Sequence, residues 1–344
     1  MKFYFLSALL VVGSCTNLRH TEKIKQLKNS IVFEDASIIN KYSNTINTKD
    51  LRAHLSLFAS DSLNGRMTGS EGHNKASNYL RSYYKTQNIN SPEGITDYYQ
   101  KIPASYFPED IMNSSQNVIA FIEGSVYPEE VLIISGHLDH IGVIEGAIYN
   151  GADDNGSGNS AILEIAQAFK LAAQDGYRPK RSIAFIHMTA EELGLEGSRY
   201  YVENPVFPLV NTIANLNIDM IGRRDNKYQN NEDYIYLIGS DRLSTELHYI
   251  SERANEEFTK LDIDYIYNEE DDFNRYYYRS DHYNFALEGI PVIFYFNGEH
   301  DDYHQPTDTI EKIDFNLLAK RAKLIFSTAW YLANADERPE VDKF

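Results

Sequence analysis

Short apolar runs alternate with runs of helical periodicity along most of the chain. The apolar runs are rich in β-branched residues and predict strands at 117–124, 130–137, 181–190, 212–220, 234–239 and 291–296. Apolar positions at helical spacing predict helices at 157–173, 195–203, 242–258, 281–287 and 315–334. Because the strands are almost continuously apolar, we expect helices to cover both faces of the sheet. The pattern therefore predicts a three-layer α/β fold, in which a mostly parallel (mixed) sheet is sandwiched between helices.

Two more helices are predicted before the first of these strands. One covers residues 48–58 with Thr48 as its N-cap, and the other begins after Ser70. The chain shows no internal repeat and no low-complexity tract. We therefore predict a single domain over residues 46–336, followed by a short tail at 337–344.

The first residues have the pattern of an export signal. Lys2 precedes an apolar run at 3–12, which is too short to cross a bilayer as a helix and is typical of a secretory signal. Small residues then lead to Cys15, the only cysteine of the chain, in a sequence that resembles a bacterial lipobox. We expect a signal peptide at 1–14 and a lipidated tether at 15–45. The protein would then be an exported lipoprotein of the bacterial envelope, facing the periplasm or on the outer membrane, with its lipid as the only membrane contact.

Composition limits the classes of partner. With 344 residues, of which 42% are hydrophobic, the chain can bury a sizeable core. The formal net charge of -18 argues against nucleic acid, because phosphate binding needs clustered Lys and Arg. An acidic surface of this kind is consistent with simple solvation and with binding of metals or cationic ligands.

Residues that could bind a metal or take part in catalysis follow the ends of the predicted strands. In open parallel sheets, ligands bind beyond the carboxyl ends of the strands. The loop "NGADDNGSGNS" at 150–160 adds two adjacent aspartates directly before a predicted helix, although alone it would predict only a surface turn. The segments that follow the strand ends all carry His, Asp or Glu: "GHLDH" (136–140), "TAEELG" (189–194), "IDMIG" (218–222) and "NGEHDDYH" (297–304).

These residue types suit a pair of zinc ions. Zinc binds imidazole and carboxylate ligands, and two ions held close together need a bridging carboxylate. We assign Asp153 as the bridge, because its glycine-rich loop leaves room for ions and substrate. One ion would take His137 and Asp219, and the other Glu192 and His304. Three carboxylates and one bridging hydroxide would balance the charge of the two ions.

Two further acids are predicted to take part in catalysis. Asp139 lies two residues after His137 in an extended segment, so its carboxylate can orient the His137 ring. Glu191 would stand beside the bridging water and act as general base, although paired acids are also common at helix N-termini. His140 and His187 have no such support and are interpreted as structural.

Five motifs together resemble the co-catalytic dizinc aminopeptidase family, which includes bacterial leucine aminopeptidases and is related to glutamate carboxypeptidases and glutaminyl cyclases. The resemblance extends from about residue 51 to 332. The motifs are "SGHLDH", "NGADDNGSG", "TAEELGLEGS", "NIDMIG" and "YHQPTDT".

This resemblance implies a zinc-dependent exopeptidase that hydrolyses the N-terminal bond of peptide substrates with two zinc ions. It also implies that Glu191 is the general base and that a cis peptide bond joins Asp153 to Asp154. The metal positions that it implies are His137, Asp153, Glu192, Asp219 and His304.

Three alternatives stay open. A glutaminyl-cyclase-like acyltransferase would share the fold but use one zinc, whereas the double-aspartate loop and five ligands favour two. A carboxypeptidase acting on acidic dipeptides would need a basic pocket, for which Arg223, Arg224 and Arg279 are candidates. A binding protein with an inactive site is disfavoured, since no metal or base position is substituted. Tyrosines of the acidic stretch 262–279 are candidates for the substrate pocket.

Overall fold

The computed structural model describes residues 21–107, 113–230 and 233–343. Within these residues the helices are α1 (21–30), α2 (Ala36–Ser43), α3 (Thr48–Phe58), α4 (Glu71–Thr86), α5 (Gly158–Gln174), α6 (Glu196–Glu203), α7 (Thr245–Ala254), α8 (His282–Leu287) and α9 (Phe315–Asn334). The strands are β1 (Tyr99–Ile102), β2 (Ser115–Ile122), β3 (Tyr127–His137), β4 (Gly142–Ile144), β5 (Ala147–Tyr149), β6 (Arg181–Met188), β7 (Thr212–Ile218), β8 (Tyr234–Ile238), β9 (Asp262–Asp264) and β10 (Val292–Phe296).

One mixed sheet organises the domain, with the strand order β1-β2-β6-β3-β7-β10-β8-β9. The four central strands, β6, β3, β7 and β10, are parallel to one another. The outer part is less uniform, since β2 runs antiparallel to β6 and β8 runs antiparallel to β10. Strands β4 and β5 form a separate hairpin. The predicted α/β class with a mostly parallel, mixed sheet is confirmed.

Alternate side chains of the central strands enter two different cores. On β3, Leu132 and Ile134 pack into the larger core, which is formed with α3, α5 and α9. Val131 and Ile133 point the other way, into a smaller core that includes residues of α6 and α8. Side chains of a strand alternate between its two faces, so a continuously apolar strand needs cover on both. The three-layer arrangement follows from this pattern.

The segment before α3 differs from the predicted tether. From residue 21 onward the chain is largely helical, and Ile39 and Tyr42 of α2 are buried in the main core. The Tyr42 ring stacks on Trp330 of α9 with centroids 6.2 Å apart. Residues 21–45 therefore pack as part of the domain, because their scattered apolar side chains find partners on distant helices. The predicted signal peptide and Cys15 lie outside the described residues.

The starts of two helices test the capping predictions. The N-cap of α3 is Asn47, one residue before the predicted Thr48, and its side chain accepts hydrogen bonds from the backbone N of Lys49 and Asp50. Ser70 caps α4 as predicted, accepting from the backbone N of His73. Both side chains satisfy amides that a helix leaves free in its first turn.

The carboxyl ends of the four parallel strands meet at one edge of the sheet. His137 ends β3, and Asp219 follows β7 directly. The loop after β6 carries Glu191 and Glu192, and the loop after β10 leads to His304. This edge brings the predicted site residues together. Among the described helices, none has the length and apolarity that a membrane span requires.

Candidate metal centre

The carboxylate of Asp154 lies at the centre of a cluster of acids and histidines. Its Oδ1 is 3.1 Å from Nε2 of His137, and its Oδ2 is 3.1 Å from Nε2 of His304. Asp219 Oδ1 lies 3.2 Å from the same His137 nitrogen, and Glu192 Oε2 lies 3.1 Å from the His304 nitrogen. The structure thus brings four of the five predicted ligands together, in the two predicted pairs, on either side of Asp154.

Asp153, the predicted bridge, is the fifth and lies outside this cluster. Its Oδ1 accepts a hydrogen bond from the backbone N of Gly222 at 2.7 Å, and its Oδ2 lies 3.1 Å from Nε2 of His300. Successive side chains point to opposite sides of an extended backbone, and Asp154 has φ and ψ of -100° and 94°. The structure therefore places Asp154, and not the predicted Asp153, between the two pairs of predicted ligands.

The loop that presents Asp154 is held by contacts on both sides. The carboxylate of Asp308 accepts hydrogen bonds from the backbone N of Asp153 at 2.9 Å and of Asp154 at 3.1 Å. On the other side, Asn155 Nδ2 donates to the carbonyl of Ile218 at the end of β7, at 2.8 Å. The cis peptide bond joins Asp154 to Asn155 rather than Asp153 to Asp154, so that prediction is also displaced by one residue.

The carboxylate of Asp139 acts on the Glu191–Glu192 turn more than on the His137 ring. It accepts hydrogen bonds from the backbone N of Glu191 at 3.1 Å and of Glu192 at 3.4 Å, and from the Thr68 hydroxyl at 3.0 Å. It stays 3.9 Å from Nδ1 of His137, which donates instead to the backbone carbonyl of Asp139 at 3.1 Å. Asp139 therefore orients His137 through its main chain, because its carboxylate is already used.

Glu191 lines a cleft together with Asp154 and Asp219. Burial raises the pKa of Glu191 well above its usual range; His137 opposes this shift, and the charges of Glu192 and Asp219 add to it. A raised pKa makes a carboxyl group better suited to proton transfer. Its position agrees with that expected of the general base, and the role itself stays a prediction.

His140, interpreted as structural from the sequence, lies in the cluster. Its Nδ1 is 2.7 Å from Glu192 Oε1 and 3.7 Å from Asp154 Oδ2. His187 does take a structural position, where its Nδ1 bonds with Asn159 of α5 at 2.6 Å. The sequence offered one signal for His140, which is its place at the end of "GHLDH" beyond the strand.

A buried arginine lies behind the cluster. The Arg66 guanidinium donates to the backbone carbonyls of Leu138, Asn150 and Gly151 at 2.9, 2.6 and 3.0 Å. Burial lowers the pKa of Arg66 to about 10, an effect that the nearby charge of Asp154 opposes. Arg66 stays charged at neutral pH and ties the loop after β3 to the loop before α5. Nothing in the sequence marks this role, since its partners are main-chain atoms far along the chain.

The donor set fits divalent cations of the zinc type. Imidazole nitrogens and carboxylate oxygens are ligands that zinc prefers in proteins. Buried carboxylates this close together repel one another unless a cation or protons compensate their charge. Among the residues that the structure describes, three groups of side chains have donor atoms within 4.8 Å of one another: His137, Asp154 and Asp219; His137, Glu191 and Glu192; His140, Asp154 and Glu192.

Comparison with known sequences gives a consistent result. A model described as peptidase family M28 matches residues 117–329, which is more than half of the chain. Aminopeptidase YwaD of Bacillus subtilis is 27% identical over 238 residues, covering 67% of this chain and 47% of that protein. A probable zinc metalloprotease of Pyricularia oryzae is 27% identical over 298 residues, covering 74% and 57%. The chain thus spans about half the length of these curated relatives.

A solved structure shows the same fold. The LapA aminopeptidase of Legionella pneumophila superposes with a TM-score of 0.69 at 20% identity, covering 89% of this chain and 76% of that one. At this identity the likeness shows the fold alone. It supports the three-layer architecture that the strand and helix pattern predicted.

Proposed function

The chain belongs to peptidase family M28, and on that premise we propose that it is a zinc-dependent aminopeptidase with two metal positions. The observation that carries this proposal is the Asp154 carboxylate, which faces one group of donors with each of its oxygens. His137 and Asp219 would hold one zinc ion with Asp154, and Glu192 and His304 the other. The same Asp154 would be the shared ligand of both ions.

The protein's own residues account for the proton transfers. Bound zinc would supply Lewis acidity, which polarises the scissile carbonyl and makes a water molecule easier to deprotonate. Glu191 would accept a proton from that water and pass it to the leaving amine. Asp139 would keep Glu191 in place, because its carboxylate accepts the hydrogen bond of the Glu191 amide.

One feature of the cleft favours the amino end of a peptide as substrate. Asp154, Glu191 and Asp219 line it, and Glu191, the one of these three acids that is not assigned to a zinc ion, would face a free α-ammonium group that enters the cleft. A blocked amino end would lose this attraction.

A substrate panel with metal analysis tests the proposal. We expect the zinc-loaded protein to cleave aminoacyl anilides with a free amino end and to leave their acetylated counterparts intact. Two zinc ions per chain are expected after removal of excess metal. Equal cleavage of free and blocked substrates would contradict the aminopeptidase assignment. One zinc per fully loaded chain, with cyclisation of N-terminal glutamine, would favour the acyltransferase alternative.

We also propose that the protein is exported and anchored by lipid at Cys15. The support is the short apolar run followed by the only cysteine of the chain. Cys15→Ser should release the protein from membranes into the soluble fraction, as measured by fractionation after a salt wash. A variant that stays with the membranes would contradict the anchor without affecting the proposed reaction.

A further inference from the structure

Two recesses of the surface adjoin at the starts of α3 and α9, where Thr48 and Asn316 line both. We call the combined surface the basic groove. Asp314 is the only acid among its described lining residues, whereas over the whole chain acids outnumber lysine and arginine by 50 to 32. The groove therefore reverses the charge balance of the protein. Its lining cations are Lys49, Arg52, Arg224, Lys312, Lys320 and Lys323.

Half of these cations already have an acidic partner. The ion pairs join Arg224 to Asp314, Lys312 to Asp302 and Lys320 to Asp233. Arg224, a candidate for the basic pocket of a carboxypeptidase, thus lies in this groove and not in the cleft beside the metal centre. The positive charge that the groove offers to a ligand comes from the other three cations.

Lys49, Arg52 and Lys323 have no acidic partner among the residues that the structure describes. Lys323 is half-buried, its Nζ donates to Asn44 Oδ1 at 3.0 Å, and burial lowers its pKa. The Arg52 guanidinium lies over the Phe315 ring, 3.9 Å from its centroid. A partly desolvated cation without a counter-charge is costly, so an anion that enters the groove would be stabilised.

The polar lining of the groove suits phosphate. Asn40, Thr48 and Asn316 add amide and hydroxyl donors to the ammonium and guanidinium groups. Phosphate oxygens accept several hydrogen bonds at once, and those from charged donors are the strongest. A groove with these donors and three uncompensated cations therefore matches phosphate groups that are presented side by side.

The N-terminal segment enters the domain beside the groove. Asn40 and Asn44 of α2 line it. Phe33, shortly before α2, packs edge-on against Phe258, which also lines the groove, with ring centroids 5.1 Å apart. Cys15, where we propose the lipid, precedes Phe33 by 18 positions. The lipid would therefore bring a membrane within reach of this groove.

We propose that the basic groove docks the domain onto the anionic phosphate headgroups of the membrane. This inference rests on the proposed anchor at Cys15 and adds a second membrane contact, which would orient the domain. Screening limits electrostatic attraction to about 8 Å at physiological ionic strength, so the acidic charges on the other faces do not cancel it. The groove shares no lining residue with the cleft, so groove variants should cleave a soluble substrate as wild type does.

Vesicle binding by the full chain with Cys15→Ser tests the groove without the lipid. One set of vesicles would contain phosphatidylcholine with about one third phosphatidylglycerol, and the other phosphatidylcholine alone. The apolar run at 3–12 contributes equally to both, so the groove is measured by the difference in cosedimentation. We expect stronger binding to the anionic vesicles, and high salt should remove the difference.

Substitutions of the three unpaired cations should remove this preference. Each charge lost should weaken binding to the anionic vesicles about fivefold, so the combination of Lys49→Gln, Arg52→Gln and Lys323→Gln should weaken it roughly 100-fold. Lys49→Gln with Lys323→Gln leaves Arg52 over Phe315 and should still weaken binding about 25-fold. Thermal melting and cleavage of a soluble leucyl substrate show that each variant is folded.

A matched control removes the same number of charges elsewhere. Lys75→Gln, Lys85→Gln and Arg178→Gln replace two lysines and one arginine that are exposed and do not line the groove. This triple variant should keep the preference for anionic vesicles. Equal weakening in the control and in the groove variant would show that net charge alone governs binding, and would overturn the inference.

Other outcomes also overturn it and stay distinct from failure of the proposed function. Equal binding of the unsubstituted groove to both kinds of vesicle would exclude docking on headgroups. Binding of soluble polyphosphate without binding to vesicles would show that the groove takes a soluble polyanion instead. Failure of the anchor appears separately, as a Cys15→Ser protein that stays with cell membranes. Failure of the aminopeptidase assignment appears as absence of leucyl cleavage in every protein of the set.

Discussion

The two sides of the Asp154 carboxylate are built from different parts of the fold. On the sheet side, His137 ends β3 and Asp219 follows the neighbouring strand β7, and both are buried. On the loop side, Glu192 follows β6 within a turn, and His304 lies in a long connection after β10 with its side chain 37% exposed. Asp154 belongs to both sides.

The predicted metal ligands on the two sides are therefore held in different ways. Strand pairing fixes those on the sheet side, and side-chain contacts fix those on the loop side. The main chain at His137 and before Asp219 is held by ladder hydrogen bonds to neighbouring strands. Glu192 depends on the Asp139 carboxylate, and His304 on stacking with Tyr303, whose ring centroid lies 3.9 Å away. Segments held by few contacts open more easily than core strands. We expect the ion on the loop side to exchange faster than the ion on the sheet side.

The largest loss of zinc binding and activity is expected when Asp154, which the two sides share, is replaced. Asp154→Ala removes one ligand from both ions, and we expect loss of tight zinc binding at both positions. Activity should fall by more than the roughly 100- to 10,000-fold typical of a lost general base. Zinc content after dialysis and kcat/KM for a leucyl substrate measure this. Asp153→Ala is the matched control, and a larger loss of zinc there than in Asp154→Ala would restore Asp153 as the bridge.

Substitutions of Glu191 and Glu192 are expected to impair the enzyme in different ways, the first through turnover and the second through zinc binding. Glu191→Gln keeps the shape and leaves both ions bound, so kcat should fall roughly 100- to 10,000-fold with little change in KM. Glu192→Gln should instead lose the ion of the loop side, because a neutral amide is a poor zinc ligand. Zinc analysis with steady-state kinetics distinguishes them. Near-normal turnover in Glu191→Gln, with retained zinc and lost turnover in Glu192→Gln, would reverse the assignment.

The sheet side of the site could be predicted from the sequence, because its residues are placed by the strands next to them in the chain. His137 and Asp219 directly follow apolar runs whose strand character is plain, so their places are fixed by the strand ends. The edge of the sheet where they meet follows from the parallel arrangement. Such residues need no knowledge of loop conformation.

The choice between Asp153 and Asp154 could not be made in the same way. Both aspartates have the same chemistry, and their directions depend on the backbone of one loop. That backbone is set by Asp308, which accepts hydrogen bonds from both amides, and by the contact of Asn155 with the end of β7. These partners come from distant parts of the chain. Arg66 and His140 were missed for a similar reason, since their partners become neighbours only in the fold.

A smaller loss of metal affinity is expected when the hydrogen bonds that support the loop side are weakened. Asp139→Asn weakens the hydrogen bonds to the amides of Glu191 and Glu192. Outer residues that position ligands are typically worth about 10- to 100-fold in metal affinity. We expect a loss in this range for one ion, with the other retained. Competition with a chromophoric chelator measures both affinities, and equal weakening of the two ions would break the distinction between the sides.

The smallest effect is expected from His140, which contacts the loop side only through side-chain atoms. Its Nδ1 lies 2.7 Å from Glu192 Oε1, so the ring leaves the other Glu192 oxygen directed toward His304. His140→Asn shortens the side chain and weakens this contact, and a hydrogen bond to a charged group is worth about 1.5–3 kcal/mol. Partial replacement by the amide should limit the loss of affinity at the loop-side ion to about tenfold or less. His73→Asn replaces another buried histidine, which lies on α4 outside the cluster, and should leave both zinc affinities unchanged. Equal zinc affinities in wild type and His140→Asn would show that Glu192 is held without this ring, and the loop side would then depend on Asp139 and the turn alone.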